Sequence, residues 1–326
     1  MKITYWGEKV LKLKDYNYLN IKGTLLDDYQ LANYMEKIAT NHELTNNSNK
    51  LTEPIPRLRD NFRFIENTYR TLNEHVKLKI DIHPAGEWLL DNFYIIEETY
   101  KTIEQEMNLK KYKNFPGIAS GPYKGYSRIY VLASEIVAYT DNKITDEILN
   151  LALSSYQKRK LLSMEEIWNL WIFLEIAIIE NVRNICEKIY HAQLQKYKVE
   201  SIIERLVEKK ESNKLNFIKV KNDNTFDRKY KDLKYSFIEY MSYKLKKYGK
   251  QGMPYLDILE EQVNKMGMSI SDVIKKEHYD IAISKVSLGN SIISLKEILR
   301  VNFLSLFEEI NGVEDILKKD PARCLF

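Results

Sequence analysis

Turn-forming residues are scarce in this chain. It has 11 Gly and 7 Pro among 326 residues, about half the ordinary combined share of roughly 12%. Gly supplies left-handed backbone and Pro pre-sets a turn, so a chain poor in both must be built from long elements. All-β sandwiches and barrels need a turn every ~8–12 residues and are excluded. Gly-rich phosphate loops are excluded too, since neither GxGxxG nor a Walker A pattern occurs. With 44% hydrophobic and 29% charged residues, the chain has the profile of a globular protein. The expected fold class is all-α, a multi-helix bundle of stacked α-hairpins. The length predicts two domains or one large helical one.

The periodicity supports this reading along the chain. Lys2–Trp6 reads as a short strand. Thr24–Ala39 reads as a helix with Leu31, Tyr34, Met35 and Ile38 on one face. An Asn-rich loop over 41–50 is closed by Pro54 and Pro56. Further helices are expected over Arg57–Lys79, Glu87–Met107, Tyr126–Tyr139, Thr145–Tyr156, Tyr255–Met266 and Ser271–Arg300, with a loop over Lys110–Lys124. Ser163 and Glu166 have capping-box spacing and open a helix read as continuous to Tyr190. A loop is expected near Lys221–Thr225 and a helix end at Gly312. The organisation expected is an N-terminal helix and loop (1–50), a central helical domain (51–198), a basic Tyr-rich segment (199–255) and C-terminal helices (256–326).

Two cysteines, Cys186 and Cys324, make a disulfide framework improbable and fit a reducing compartment. The N-terminus lacks the apolar run of a signal peptide. The most membrane-like segment, Ile167–Ile185, is interrupted by Asn169, Glu175, Glu180, Asn181, Arg183 and Asn184, so it reads as a buried helix rather than a span. A cytoplasmic location is expected. The net charge of +4 demands no polyanionic partner, and 39 Lys against 11 Arg is not the bias of bidentate phosphate recognition.

Four segments resemble one family. They are Glu87–Glu98 (EWLLDNFYIIEE), Gly125–Asp141 (GYSRIYVLASEIVAYTD), Ser163–Asn184 (SMEEIWNLWIFLEIAIIENVRN) and Glu277–Lys296 (EHYDIAISKVSLGNSIISLK). Together they are similar to the N-terminal region of the cyclic β-1,2-glucan synthases, very large bacterial membrane glucosyltransferases with a glycoside-phosphorylase-like C-terminal part. The resemblance is colinear from about Ile21 to Ala322. It implies a parent that uses UDP-glucose to build β-1,2-glucan, starting on the protein itself and closing the chain into a ring at the cytoplasmic face of the membrane. It also implies partners: the remaining modules of the transferase, the glucan and an anionic membrane surface. Processive transferases of this type carry metal-binding Asp residues and a Gln-x-x-Arg-Trp motif, and that motif is absent here. The expectation is a non-catalytic region without cofactor or metal that scaffolds the transferase or handles glucan. Glu175 departs from the family, which tends to carry Arg there. The tail from Asp320 to Phe326 resembles a truncation or frameshift.

The candidate site residues each admit two readings. Asp91, Asn92, Arg128, Glu135, Glu180, Asn181 and Arg183 interrupt otherwise apolar segments. They form either a buried polar network that fixes helix register or a cleft that binds sugar hydroxyls. Tyr123 and Tyr126, with Phe115, belong to a Gly/Pro-rich loop that can stack on a sugar ring or simply pack. His278 and Asn290 are candidates in the fourth segment, His278 reading first as a helix-packing residue. Glu87, Asp91 and Glu98 share a helix face, but carboxylates that cleave glycosides must flank a bond about 5–9 Å apart, and a solvated stripe explains them. None of His42, His75, His83, His191 and His278 forms an HExxH or Cys/His cluster. Between Lys219 and Lys250 ten basic residues face four acidic ones, interleaved with Tyr230, Tyr235, Tyr240, Tyr243 and Tyr248. That pattern fits a solvated helix, a membrane or partner surface, or single-stranded nucleic acid. The alternatives to the synthase region are a stand-alone carbohydrate-binding module and, less favoured, a basic nucleic-acid-binding protein.

Overall fold

The computed structural model describes residues 24–45, 51–107, 109–208, 234–298, 300–301 and 303–310. The expected strand at Lys2–Trp6, the loop near Lys221–Thr225 and the helix end at Gly312 lie outside these residues. The fold is all-α with one minimal two-stranded sheet. In chain order the helices are α1 (Asp28–Asn41), α2 (Ile55–Lys77), α3 (Pro84–Glu106), the single turn α4 (Leu109–Tyr112), α5 (Arg128–Tyr139), α6 (Asp146–Gln157), α7 (Met164–Trp168) and α8 (Leu170–Glu208). They continue with α9 (Tyr235–Lys247), α10 (Met253–Lys265), α11 (Ile270–Ile298) and α12 (Phe303–Ile310). Neither Gly nor Pro occurs between Gly125 and Gly249, and this stretch contains the 39-residue α8.

Caps written in the sequence set several helix starts. Asp27 accepts from the Gln30 amide at 2.8 Å and the Gln30 side chain accepts from the Asp27 amide at 3.2 Å. This box starts α1 four residues later than the periodicity alone implies. Thr145 caps α6 through the Ile148 amide at 3.3 Å. Ser163 and Glu166 form the expected box on α7, but the helix expected to run on to Tyr190 breaks at Asn169. The Asn169 side chain donates to the Glu165 carbonyl at 2.7 Å, ending α7 after one turn. Beyond the break α8 continues past Tyr190 to Glu208.

The Lys110–Lys124 loop is ordered by backbone pairing. Strand β1 (Leu44–Thr45) lies antiparallel to β2 (Gly117–Ile118). Gly125, at φ 89°, lets its carbonyl accept from Thr52 at 2.7 Å and its amide donate to Ile118 at 3.0 Å.

Two compact units share the chain. The first comprises Met1–Glu66, Asn92–Asn184 and Ser287–Phe326, the second Asn67–Asp91 and Ile185–Val286. In the first unit α1 packs on α6, and α12 on α6 and α7. Its core includes Met35, Leu58, Ile96, Leu132, Leu153 and Ile178, all fully buried. A cluster of Tyr112, Phe115, Tyr130 and Phe173 has ring centroids 5.8–6.2 Å apart, a separation at which aromatic pairs add to area burial. The second unit is organised around Val199, Ile203, Phe237, Ile238, Val263 and Val273. Among the described residues no helix is long and apolar enough to cross a membrane.

Candidate functional site

Helix α5 is buried along almost its whole length, although it carries Arg128 and Glu135. An unpaired charge at such depth is costly, so each must find a partner on another element. Arg128 finds Glu166. Its Nε lies 2.8 Å from Oε1, its Nη2 meets Oε2, and its Nη1 donates to the Leu161 carbonyl at 3.1 Å. Glu166 Oε2 also accepts from the amide and hydroxyl of Ser163, at 2.9 and 3.0 Å. The α7 capping box is thus part of a buried ion pair.

Beside it, His42 Nδ1 stands 3.0 Å from the Tyr156 hydroxyl, and Lys160 donates to the His42 carbonyl. Burial first, then the charges of Lys160 and Arg128, hold the His42 imidazole down at about 4. It is therefore neutral at physiological pH.

Glu180 on α8 pairs with Arg57 of α2 and accepts from the Tyr130 hydroxyl at 2.9 Å. Glu135 accepts from the Tyr34 hydroxyl at 2.8 Å and also bonds Tyr123. Burial pushes the Glu135 carboxyl up, and the two phenols partly offset this. Asn181 donates to Asn142 Oδ1 at 2.6 Å. Arg183 lies over the Phe64 ring at 4.8 Å and bonds the Asn184 side chain at 3.2 Å. Asn290 donates to the carbonyl and the side chain of Asp141 at 3.1 and 3.2 Å. These candidates therefore form several separate contacts rather than one cluster, and Glu135 Oε1 is buried with no hydrogen-bond partner among the described residues. Tyr126 is buried, with its ring 6.0 Å from Tyr130; Asn92 is half-buried.

The remaining candidates fall in the second unit. Asp91 is exposed. His278, read first as a packing residue, is exposed instead, with Nε2 4.0 Å from Glu239. Its position on α11 points the ring toward solvent. Within this unit Lys196 is the notable cation. It is buried, donates to the Ile82 carbonyl at 3.3 Å, and lies 5.2 Å from the centre of the Tyr240 ring; burial pushes it down. Gln193 joins the His83 amide (3.0 Å), His75 Nδ1 (2.9 Å) and the Asp81 carbonyl (3.1 Å).

Of the basic Tyr-rich segment, 209–233 lies outside the described residues. In the rest Tyr240 is buried, Tyr243 and Tyr248 are exposed, and Lys244 pairs with Glu200 at 2.5 Å. Among the described residues no three His, Cys, Asp or Glu gather in a metal-binding group.

Several contributors were not read from sequence as members of this polar set: Arg57, Tyr34, Tyr130, Tyr156 and His42. Their partners lie about a hundred residues or more away or, for Tyr130, on another helix. The one local signal was the Ser163/Glu166 spacing. A different site opens elsewhere in the first unit. Tyr94, Glu98, Thr99 and Thr102 of α3, Glu175 of α8 and Lys296 of α11 line a cleft of about 180 Å³. Glu175 is 1% exposed, and its Oε2 is buried with no hydrogen-bond partner among the described residues. Burial pushes this carboxyl up to about 8.

No family model matches the chain. Among curated proteins it is similar to the cyclic beta-(1,2)-glucan synthase NdvB of Rhizobium meliloti (strain 1021), with 23% identity over 269 residues. The match covers 81% of this chain but 9% of that protein's length. The chain is thus distantly related to a cyclic β-(1,2)-glucan synthase, the family that its four segments resemble.

Proposed function

We propose that this chain is a non-catalytic helical region of a cyclic β-1,2-glucan synthase-like glucosyltransferase, which scaffolds the transferase or handles its glucan. The observation that carries this reading is that the buried charges bond one another and neighbouring phenols. Arg128 is spent on Glu166, Glu180 on Arg57 and Tyr130, and Glu135 on Tyr34 and Tyr123. Groups consumed in this way fix helix register and are not free to move protons or bind a nucleotide sugar. The relationship to 9% of a much longer synthase supports a part that works with other modules. In this reading UDP-glucose binds in those modules, the partners are the transferase and its glucan, and the location is the cytoplasmic face of the membrane.

Size-exclusion chromatography of the chain mixed with the glucosyltransferase module of a cyclic β-1,2-glucan synthase tests the proposal. A joint peak is expected. Separate elution of two folded proteins, or saturable UDP-glucose binding by this chain alone, overturns it.

A further inference from the structure

Glu135 keeps one unpaired oxygen but bonds Tyr34, and Glu180 bonds Tyr130, whereas no such donor is seen on Glu175 in the cleft between α3, α8 and α11. Glu175, only 1% exposed, belongs to its lining, and its Oε2 is unpaired among the described residues. A buried polar atom without a partner is expensive, and it persists where a ligand or water completes it. Around it the lining is mixed. Thr99 donates its proton to the Ile95 carbonyl at 2.9 Å, which leaves its oxygen able to accept. Thr102 is half-buried, Glu98 and Lys296 are exposed charges of opposite sign, and Tyr94 is 59% exposed.

We propose that this cleft binds one neutral polyhydroxylated ring, a terminal pyranose of a sugar chain, with Glu175 contacting a ring hydroxyl and Tyr94 stacking at the mouth. Four features of the lining fit such a ligand. Hydroxyls both donate and accept, and the lining offers both kinds of group. The Glu175 carboxyl, held mostly protonated at neutral pH by burial, can itself donate and accept and needs no counter-charge. A face of a pyranose is apolar enough to lie on an exposed phenol ring. At about 180 Å³ the cleft is comparable to a cavity of about 150 Å³ that takes up one benzene, room for one six-membered ring and not for a chain. An organic ammonium is the competing occupant of a buried acid, but this acid is held mostly protonated and Glu98 and Lys296 offset one another in the same lining, so little net charge draws it. The choice of a sugar among neutral polyols rests on the proposed function; the site itself rests on the lining.

Calorimetric titration of the full chain at pH 6.5 tests the site. The probes are glucose, the β-1,2-linked glucose disaccharide and butylamine. Saturable binding of the disaccharide is expected, with butylamine silent. Tyr94→Ala is an exposed change that leaves the fold intact, and it should weaken binding about tenfold, roughly the scale of one good contact. Glu175→Leu should abolish binding, while Glu175→Gln, which keeps a donor and an acceptor, should retain it to within about threefold. Circular dichroism on each variant separates lost binding from lost fold. No saturable sugar binding by the folded chain overturns the proposal, as does binding that ignores both Tyr94→Ala and Glu175→Leu, or preferential uptake of the amine. These outcomes are read independently of co-elution with the transferase, so failure of the cleft and failure of the scaffold are distinguishable.

Discussion

Arg128 and Glu166 are 38 residues apart and make a two-pronged buried pair, with side chains 4% and 0% exposed. The same carboxylate caps helix α7 through Ser163. One acidic residue therefore ties a helix start to the most buried helix of the first unit. Breaking a buried pair from one side leaves an uncompensated charge and costs about 3–5 kcal/mol, whereas replacing both partners by apolar groups is often close to neutral. Arg128→Met should destabilise by that amount in urea denaturation. Arg128→Met/Glu166→Met should recover most of the loss and retain about 1 kcal/mol for the missing cap. A double variant no more stable than the single one would contradict the pairing.

Glu175 makes stability depend on pH in an unusual sense. Its folded-state pKa is raised to about 8 by burial, above the ordinary carboxyl value of about 4.3. Between these values the folded chain holds a proton that the unfolded chain has released. Its contribution is therefore fully present below about pH 4.3 and is lost as pH rises through about 8. The expected slope is up to about 1.4 kcal/mol per pH unit. Unfolding free energies of wild type and Glu175→Gln, measured from pH 5 to 9, should converge as pH falls, relative to their difference at pH 9. A pH-independent difference would show that Glu175 is not buried as an acid.

Two histidines act in the opposite direction. His42 and His83 are each held at about 4, chiefly by burial, below the ordinary value of about 6.5. The unfolded chain binds protons at these sites that the folded chain refuses, so stability is present above about pH 6.5 and falls as pH drops toward 4. His42→Gln should flatten that acid limb in thermal melts between pH 4.5 and 7. An unchanged limb would assign the acid sensitivity elsewhere.

The turn between α5 and α6 is held by side chains of α11, with Ser294 bonding two of its backbone groups. Asp141 and Asn142 both adopt positive φ, 50° and 62°, a conformation that short polar side chains tolerate best. Ser294 Oγ donates to the Asn142 carbonyl at 2.6 Å and accepts from the Ile144 amide at 2.9 Å, and Ser287 donates to Asp141 at 2.5 Å. Ser294→Ala leaves two buried backbone groups unpaired and should cost about 1–3 kcal/mol by chemical denaturation. A loss under about 0.5 kcal/mol would mean that the turn holds itself.

Local information was legible in the sequence and distant pairing was not. The Ser163/Glu166 box and the apolar face of α1 rest on spacings of three and four residues, which helix geometry converts directly into contacts. The break at Asn169 was hidden because a polar residue inside an apolar run is compatible with a helix face until its side chain is seen bonding the Glu165 carbonyl. Arg57 and Glu180, 123 residues apart, carry no sequence signal of their partnership. Glu175 was visible as a departure within Ile172–Ile179, but whether it was paired, solvated or open depended on what α3 and α11 place against it.

The role proposed for this chain is service to a glucosyltransferase through its fold. Glucan formation from UDP-glucose by a cyclic β-1,2-glucan synthase that lacks the stretch matched by this chain, assayed with and without the chain supplied in trans, measures that role most directly. The predicted result is a rise in glucan formation with the wild-type chain and none with Arg128→Met under conditions where that variant is unfolded. Unchanged synthesis in the presence of the folded chain would contradict it.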